Sequence, residues 1–80
     1  MPYYLRFFWT EENELHVAAH GVTMEEFEFV VLNARRADVM RSRTSDRFVV
    51  IGDTPAGRRI VCVYEEFDES CCYPVTAYDL

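Results

Sequence analysis

Two histidines spaced four residues apart are the first candidates for a catalytic or metal-binding site in this sequence. His16 and His20 are preceded at the same spacing by Glu12. In a helix this spacing places side chains on one face, so the three could hold a metal ion or form an acid–base site. Zinc needs three or four ligands, however, and Val17 stands where a zinc-protease helix carries its glutamate. A structural interpretation is favoured, in which His20 ends a helix and its cation meets free carbonyl groups.

Arginines form a second candidate group, since all eight basic residues are arginine. Several of them flank two expected turns, namely Arg41, Arg43, Arg47, Arg58 and Arg59. On neighbouring antiparallel strands they could converge on a phosphate, which the planar guanidinium binds through two hydrogen bonds. The alternative, which we favour, is a solvated edge on which arginines pair with Glu65, Glu66 and Asp68.

The three cysteines, Cys62, Cys71 and Cys72, are weaker candidates for a functional site. Neighbouring residues of a strand point to opposite faces, so Cys71 and Cys72 cannot easily share a metal ion or a disulfide. We expect buried thiols without a catalytic role in a reducing, cytoplasmic compartment. No stretch approaches the roughly 20 apolar residues of a membrane span, so no membrane association is expected.

The composition limits the protein to one domain, residues 1–80, with a small core. The 14 acidic and 8 basic side chains give a formal net charge of −6. Proteins that bind nucleic acid without sequence preference are usually basic, so broad affinity for RNA or DNA is not expected.

Cap and turn residues divide the chain into a strand, a helical hairpin and a run of strands. The aromatic segment Tyr3–Trp9 predicts a strand. Thr10 is the expected N-cap of a first helix that ends at Gly21, where a left-handed conformation is tolerated. Thr23 begins a capping-box sequence for a second helix, which ends at Asn33.

The second half of the chain predicts an antiparallel β-meander. The expected strands are Val39–Arg43, Arg47–Ile51, Arg59–Glu66 and Cys71–Tyr78, with a turn over Phe67–Ser70. Pro74 inside the last strand predicts an edge position or a bulge. A strand, a two-helix hairpin and an antiparallel meander together indicate the α+β class.

Pairing these strands across their turns predicts two apolar sheet faces. If Ile51 faces Ile60 and Cys62 faces Val75, one face holds Val49, Ile51, Ile60, Cys62, Tyr64, Tyr73 and Val75. The other holds Phe48, Val50, Val61, Val63, Pro74 and Thr76. A slip of one residue would exchange the faces. Two helices cover only one of them, so the other is expected to meet a partner or form a homo-oligomer.

Four segments, taken together in order, resemble the BrnT family of bacterial toxins. They are FFWTEEN, HVAAHGVTMEE, RFVVIGDTPAGRRIVCVY and YPVTAYDL, which span Phe7 to Leu80. The resemblance implies a RelE-like fold, in which helices pack on an antiparallel sheet and a final helix follows the last strand. That helix is expected to be missing here. The resemblance also implies a cofactor-free ribonuclease toxin, neutralised by a DNA-binding antitoxin, that cleaves RNA through the ribose 2′-hydroxyl.

The same resemblance supplies site residues. Arg47 heads the R-x-V-x-I-G strand and is expected to act as a catalytic residue that binds phosphate, with Arg43 and Arg58 assisting in substrate binding. His20 matches the His-Gly pair at a helix end in the family. The resemblance implies that His20 mainly forms the helix junction and secondarily lies at the edge of the active site, where it would help to bind substrate. Tyr78 stands where the family has the arginine of an S/T-A-R sequence. Proton transfer by this phenol would need a pKa below its ordinary value of about 10.

Two functions therefore remain open. The first is a toxin-like ribonuclease, weakened or inactivated by the acidic charge and by the replacement of the last-strand arginine. The second is a non-catalytic module that dimerises or binds a partner protein through its open apolar sheet face.

Overall fold

The computed structural model describes residues 6–35, 39–41, 46–68 and 70–80. Within these ranges the chain forms β1 (Arg6–Phe7), α1 (Glu11–Ala18), α2 (Met24–Leu32), β2 (Val39–Arg41), β3 (Arg47–Asp53), β4 (Arg59–Asp68) and β5 (Cys71–Asp79). The sheet order is β1-β5-β4-β3-β2. The predicted α+β order and the meander are confirmed. The parallel pairing of β1 with β5 was not predicted, and β4 continues through Asp68 into the expected turn.

Both helices begin at the predicted threonine caps. The Thr10 hydroxyl accepts a hydrogen bond from the Asn13 amide, while the Asn13 side-chain oxygen accepts one from the Thr10 amide. Thr23 and Glu26 make the same reciprocal pair at 3.0 Å in each direction. Asn13 is itself buried and donates to the Phe8 carbonyl, so the cap also ties α1 to the segment that follows β1. These caps satisfy amide groups that would otherwise lack partners at a helix start.

The core lies between the two helices and one face of the sheet. Its buried members are Val17, Val22, Phe27, Val30, Val31, Val50, Ile60, Cys62, Tyr64, Cys72 and Ala77. Trp9 packs edge-on against Phe27, with ring centroids 5.5 Å apart, and its indole N–H donates to Glu28 at 2.8 Å. The tryptophan that precedes α1 therefore connects it to α2.

The predicted pairing of β3 with β4 is wrong by one residue. Ile51 lies opposite Val61 instead of Ile60, and Val50 lies opposite Cys62. Residues directly opposite each other share a face, so Val50 and Cys62 enter the core together. The predicted grouping of Val49 and Ile51 with Ile60, Cys62 and Tyr64 is consequently wrong.

The hairpin loop explains this shift. Its three residues are Pro55, Ala56 and Gly57, and Gly57 has a positive φ of 86°. The Gly57 amide donates to the Thr54 carbonyl, and the Thr54 amide donates to the Arg58 carbonyl, both at 2.8 Å. This is a type I turn followed by a left-handed residue, which adds one residue to the loop and moves the register by one.

The predicted pairing of β4 with β5 is also wrong, because Cys62 lies opposite Ala77 and not Val75. The register changes between the pairs Val63–Thr76 and Tyr64–Pro74, which leaves Val75 without an opposite residue. This irregularity confirms the prediction that Pro74 marks a bulge or an edge. Since β1 pairs with β5 only at Cys71 and Cys72, no ladder amide is required at the proline.

The sheet face opposite the core has an apolar centre, which is covered by neither helix, and carries the ion pairs Arg47–Glu65 and Asp53–Arg59 at its ends. We call it the open sheet face; it consists of Met40, Val49, Ile51, Val61, Val63, Thr76 and Tyr78. Met40 and Tyr78 at its margins are 50% and 41% exposed, whereas Val61 at its centre is buried. An apolar face left open by the helices was predicted, although with different members.

A close approach between α2 and the sheet, at Val30 and Gly52, generates a stability prediction. A Cβ at Gly52 would lie 2.9 Å from the Val30 Cγ1 atom, and a valine in a helix has little rotamer freedom with which to move away. Gly52→Ala is therefore expected to lower the free energy of unfolding by about 1–3 kcal/mol, measured by urea denaturation.

The matched control is the double variant with Val30→Ala. With the valine methyl groups removed, Gly52→Ala should lower the free energy of unfolding much less than it does in the wild-type background. If Gly52→Ala lowered the free energy of unfolding equally in both backgrounds, the contact with Val30 would not be the cause of the destabilisation.

Candidate functional site

One face of α1 borders β5 and brings the predicted histidines to the sheet. Asn13 and Val17 on this helix are buried, while Glu12, His16 and His20 remain exposed. We call these three exposed residues the histidine row. Its first two members line a cavity with residues of β3, β4 and β5, and its last member contacts β5 further along.

Arg47 lies at the cavity beside the beginning of the histidine row. The cavity has a volume of about 180 Å³ and is lined by Glu12, Asn13, His16, Arg47, Glu65, Tyr73, Pro74 and Val75. The Arg47 Nε donates to Glu65 at 3.2 Å, and both side chains are nearly half exposed. An imidazole, a phenol, two carboxylates and a guanidinium therefore meet here, which are the groups that transfer protons and orient phosphate.

His20 and Tyr78 meet at the opposite end of the row. Their ring centroids are 6.2 Å apart and the ring planes are inclined at 67°. Tyr78 belongs to the open sheet face and is 41% exposed, so its phenol is accessible from solvent. The structure thus joins two residues that sequence reasoning placed in one candidate site.

The end of α1 next to His20 is closed by hydrogen bonds around Gly21. The Gly21 amide donates to the Ala18 carbonyl at 2.9 Å, and the Val22 amide donates to the Val17 carbonyl at 3.3 Å. With a φ of 76° at Gly21, this is the Schellman arrangement, and it confirms the predicted helix end.

Arg58 supplies the cation at this helix end. Its guanidinium donates to the carbonyl of His20 at 3.0 Å and to that of Gly21 at 2.7 Å. The same group pairs with Asp79 at 2.5 Å and approaches Glu26 at 3.9 Å. We call this arrangement the Arg58 clamp. The helix-end role considered for the His20 imidazole is thus performed by Arg58, which is engaged with protein groups on four sides.

The clamp alters the acidity of its own members. The hydrogen bond from Arg58 holds the pKa of Asp79 below the ordinary value of 3.8, although desolvation opposes this effect. The same bond raises the pKa of Arg58. A negative Asp79 is therefore part of the folded arrangement near neutral pH.

Arg47 and Tyr78 share a sheet face but lie at opposite ends of it. Arg47 pairs across the sheet with Glu65, and Tyr78 pairs with Val61. These two β4 residues are four positions apart, which corresponds to about 13 Å along the strand. A single phosphate cannot contact both side chains, whereas an extended strand of nucleotides can.

The other predicted arginines do not join this arrangement. Arg43 lies outside the described residues. Arg41 pairs with Asp46 at 3.3 Å, and Arg59 pairs with Asp53 at 3.0 Å. The arginines of β2, β3 and β4 thus each pair with a separate carboxylate, and they do not converge on one point.

Tyr73 is a cavity residue that sequence reasoning did not select. It lies opposite Glu65 because of the β5 irregularity, a pairing that the expected register did not contain. His16 was considered only together with Glu12 and His20, as a metal ligand or part of an acid–base site, since its place beside Arg47 depends on how α1 packs against the sheet. A correct register would have identified Tyr73, whereas no local signal places His16.

The cysteines lie away from these groups and are buried. Burial raises the pKa of Cys62 to about 12 and also raises that of Cys72. Such thiols are poor nucleophiles, because the thiolate is the reactive form. Within the described ranges, no cluster of three or more His, Cys, Asp or Glu side chains is arranged to hold a metal ion. Neither described helix is long and apolar enough to cross a membrane.

Comparison with known proteins identifies the fold. No protein-family model and no curated protein matches the sequence. Among solved structures, the fold is similar to that of the ribonuclease toxin BrnT from Brucella abortus, known from a crystal structure at 1.1 Å resolution. The TM-score is 0.72, the match covers 94% of this chain and 95% of that one, and the sequence identity is 19%. The predicted BrnT-like fold is confirmed.

The Arg58 clamp predicts a specific dependence of stability on pH. Because the pKa of Asp79 is lower in the folded chain than in the unfolded one, its contribution is complete above the ordinary value and is lost as the pH falls through the folded value. Asp79→Asn should therefore lower the thermal midpoint at pH 7, and the difference from wild type should disappear at strongly acidic pH.

Asp46→Asn is the matched control. It removes the same charge from an ion pair whose carboxylate is 94% exposed, so little change in the thermal midpoint is expected at any pH. If both variants melted alike across the pH range, the clamp would have no special role.

Proposed function

We propose that this protein is a BrnT-like toxin whose metal-independent ribonuclease activity is weak. The observation that carries the proposal is the shared fold with a ribonuclease toxin, which extends over nearly the whole of both chains. The contact between His20 and Tyr78, and the cavity beside Arg47, supply suitable side chains on one side of that fold.

The proposed substrate is a single strand of RNA lying along the histidine row. A phosphate would bind at Arg47. The guanidinium can form two parallel hydrogen bonds to it once the bond to Glu65 is broken. One of the two groups, the His20 imidazole or the Tyr78 phenol, would accept the proton of the attacking 2′-hydroxyl, and the other would donate a proton to the leaving 5′-oxygen as its bond to phosphorus breaks. Because the two ends of the row are separated, at least two nucleotides must bind together, and apolar residues of the open sheet face would contact the bases.

Three features support a weak activity. The formal net charge of −6 opposes the approach of RNA. The Arg47 guanidinium is already paired with a carboxylate, which must be displaced or accommodated. Tyr78 stands where the resembling family has an arginine, so a neutral phenol replaces a cation that would stabilise charge developing on the phosphate.

An antitoxin protein and a cytoplasmic location belong to the same proposal. A toxin acting on RNA works in the compartment where translation occurs, and its host needs a protein that blocks the site. A surface joining catalytic side chains to an apolar sheet face offers such a protein both a target and a contact area.

The direct test is RNA cleavage by the purified protein in excess chelator. Wild type is expected to cleave slowly. Tyr78→Phe should lower the rate by about 10²-fold, the range typical of a positioned acid–base group, and Arg47→Ala should lower it through loss of the phosphate contact. His20→Ala should lower it as well, with the folded state of each variant verified by its thermal midpoint.

Arg41→Ala provides the charge control. It removes one arginine that stacks on Phe48, away from the open sheet face, with the guanidinium carbon 5.7 Å from the ring centroid. Its cleavage rate should remain within a few-fold of wild type. Loss of activity in this variant alone, or activity restored only by added metal, would overturn the proposal.

A second candidate function is a non-catalytic interaction module. The observation favouring it is the open sheet face, which presents apolar side chains from four strands and is covered by neither helix. A second copy or a partner protein would bury this face.

For self-association, the expected result is a dimer in sedimentation equilibrium that Met40→Glu converts to a monomer. Met40 is half exposed, so the substitution places a charge in the interface without disturbing the core. A wild-type protein that remains monomeric at high concentration would exclude the homodimer.

A further inference from the structure

The net charge of the protein is confined to its helical hairpin. Between Thr10 and Ala34 the sequence contains six glutamates and no arginine. They are Glu11, Glu12, Glu14, Glu25, Glu26 and Glu28. The other eight acidic residues are balanced by the eight arginines, so the formal charge of the remaining chain is zero. The net negative charge therefore lies on the hairpin, where Arg58 approaches one of the six glutamates, Glu26, and the rest of the chain is balanced.

An apolar groove lies in the surface of this negative hairpin. Its volume is about 330 Å³, and it is lined chiefly by Leu15, Ala18, Val22 and Met24, with Glu11 and Glu14 at its rim. Val22 is buried and forms the floor, whereas Leu15 is 64% exposed and Met24 is 39% exposed. Neither Leu15 nor Met24 belongs to the buried core, so the core does not account for their apolar character.

We propose that this groove binds a cationic amphipathic helix of a partner protein. The apolar side chains of such a helix would contact Leu15 and Met24, and its lysines or arginines would approach Glu11 and Glu14. An amphipathic helix that lies in an apolar groove is a recurrent mode of recognition. The field of six glutamates would attract a positive partner and accelerate its association.

The charge pattern excludes two other occupants. A nucleic acid would be repelled by the glutamates at the rim. A second copy related by two-fold symmetry would bring two identical negative hairpins together, since an isologous interface pairs a surface with itself. A positively charged amphipathic helix matches both the apolar lining of the groove and the glutamates at its rim. This proposal does not rest on ribonuclease activity.

The test uses a short helical peptide made of leucine and lysine, with its leucines on one face. A matched peptide of leucine and glutamate has the same apolar face and the opposite charge. In fluorescence anisotropy the lysine peptide should bind, with an affinity that falls as salt increases, and the glutamate peptide should not. Since no RNA is present, the result is independent of whether the protein cleaves RNA.

Substitutions distinguish the groove from general electrostatic attraction. Leu15→Ser retains every charge and should weaken binding of the lysine peptide about tenfold, as expected for an apolar contact at the centre of an interface. Glu11→Gln combined with Glu14→Gln should weaken it by a comparable factor and reduce its salt dependence. Leu15 is largely exposed, so the thermal midpoint of its variant should match that of wild type.

Met40→Ser is the matched control, because it removes an exposed apolar side chain from the open sheet face. Its affinity for the peptide should equal that of wild type, and amide shifts on peptide binding should be confined to α1, α2 and the turn between them. Unchanged binding by Leu15→Ser, or a loss of binding caused by Met40→Ser, would overturn the proposal.

Discussion

The Arg58 guanidinium joins the ends of three elements, the consecutive helices α1 and α2 and the distant strand β5. It bonds to the carbonyl groups of His20 and Gly21 just beyond α1, pairs with Asp79 at the end of β5, and approaches Glu26 in the first turn of α2. Carbonyl groups at a helix end carry partial negative charge, so a cation there is stabilised by the helix as well as by the carboxylates. The position of the histidine row beside β5 depends on this junction, because His20 immediately precedes Gly21.

Most of the arginines described in the strands and loops have structural partners. Arg47, Arg58 and Arg59 each pair with a carboxylate of the sheet region, and these pairs leave that region nearly neutral. The part of the chain that the structure describes therefore presents no large positive surface for RNA. Ligand binding at Arg47 must compete with the Glu65 carboxylate.

Local features of the fold could be predicted from the sequence, whereas pairings between distant segments could not. Thr10, Thr23 and Gly21 specify helix ends through bonds within a few residues, and all three behaved as predicted. The predicted β3–β4 register is wrong because one left-handed residue, Gly57, lengthens the hairpin loop by one residue. The grouping of His20 with Tyr78 followed from a family pattern, while the place of His16 beside Arg47 depends on tertiary packing that no local rule supplies.

The pairing of β1 with β5 has a consequence for the order of assembly. Arg6 lies opposite Cys71, so the two ends of the sequence must meet before the sheet is complete. Contacts between residues so far apart in sequence form late and slowly, because a long loop must close first. During synthesis on the ribosome, α1 and α2 emerge well before their place beside β5 exists. The histidine row therefore gains its β5 neighbours only after the residues of that strand have been translated.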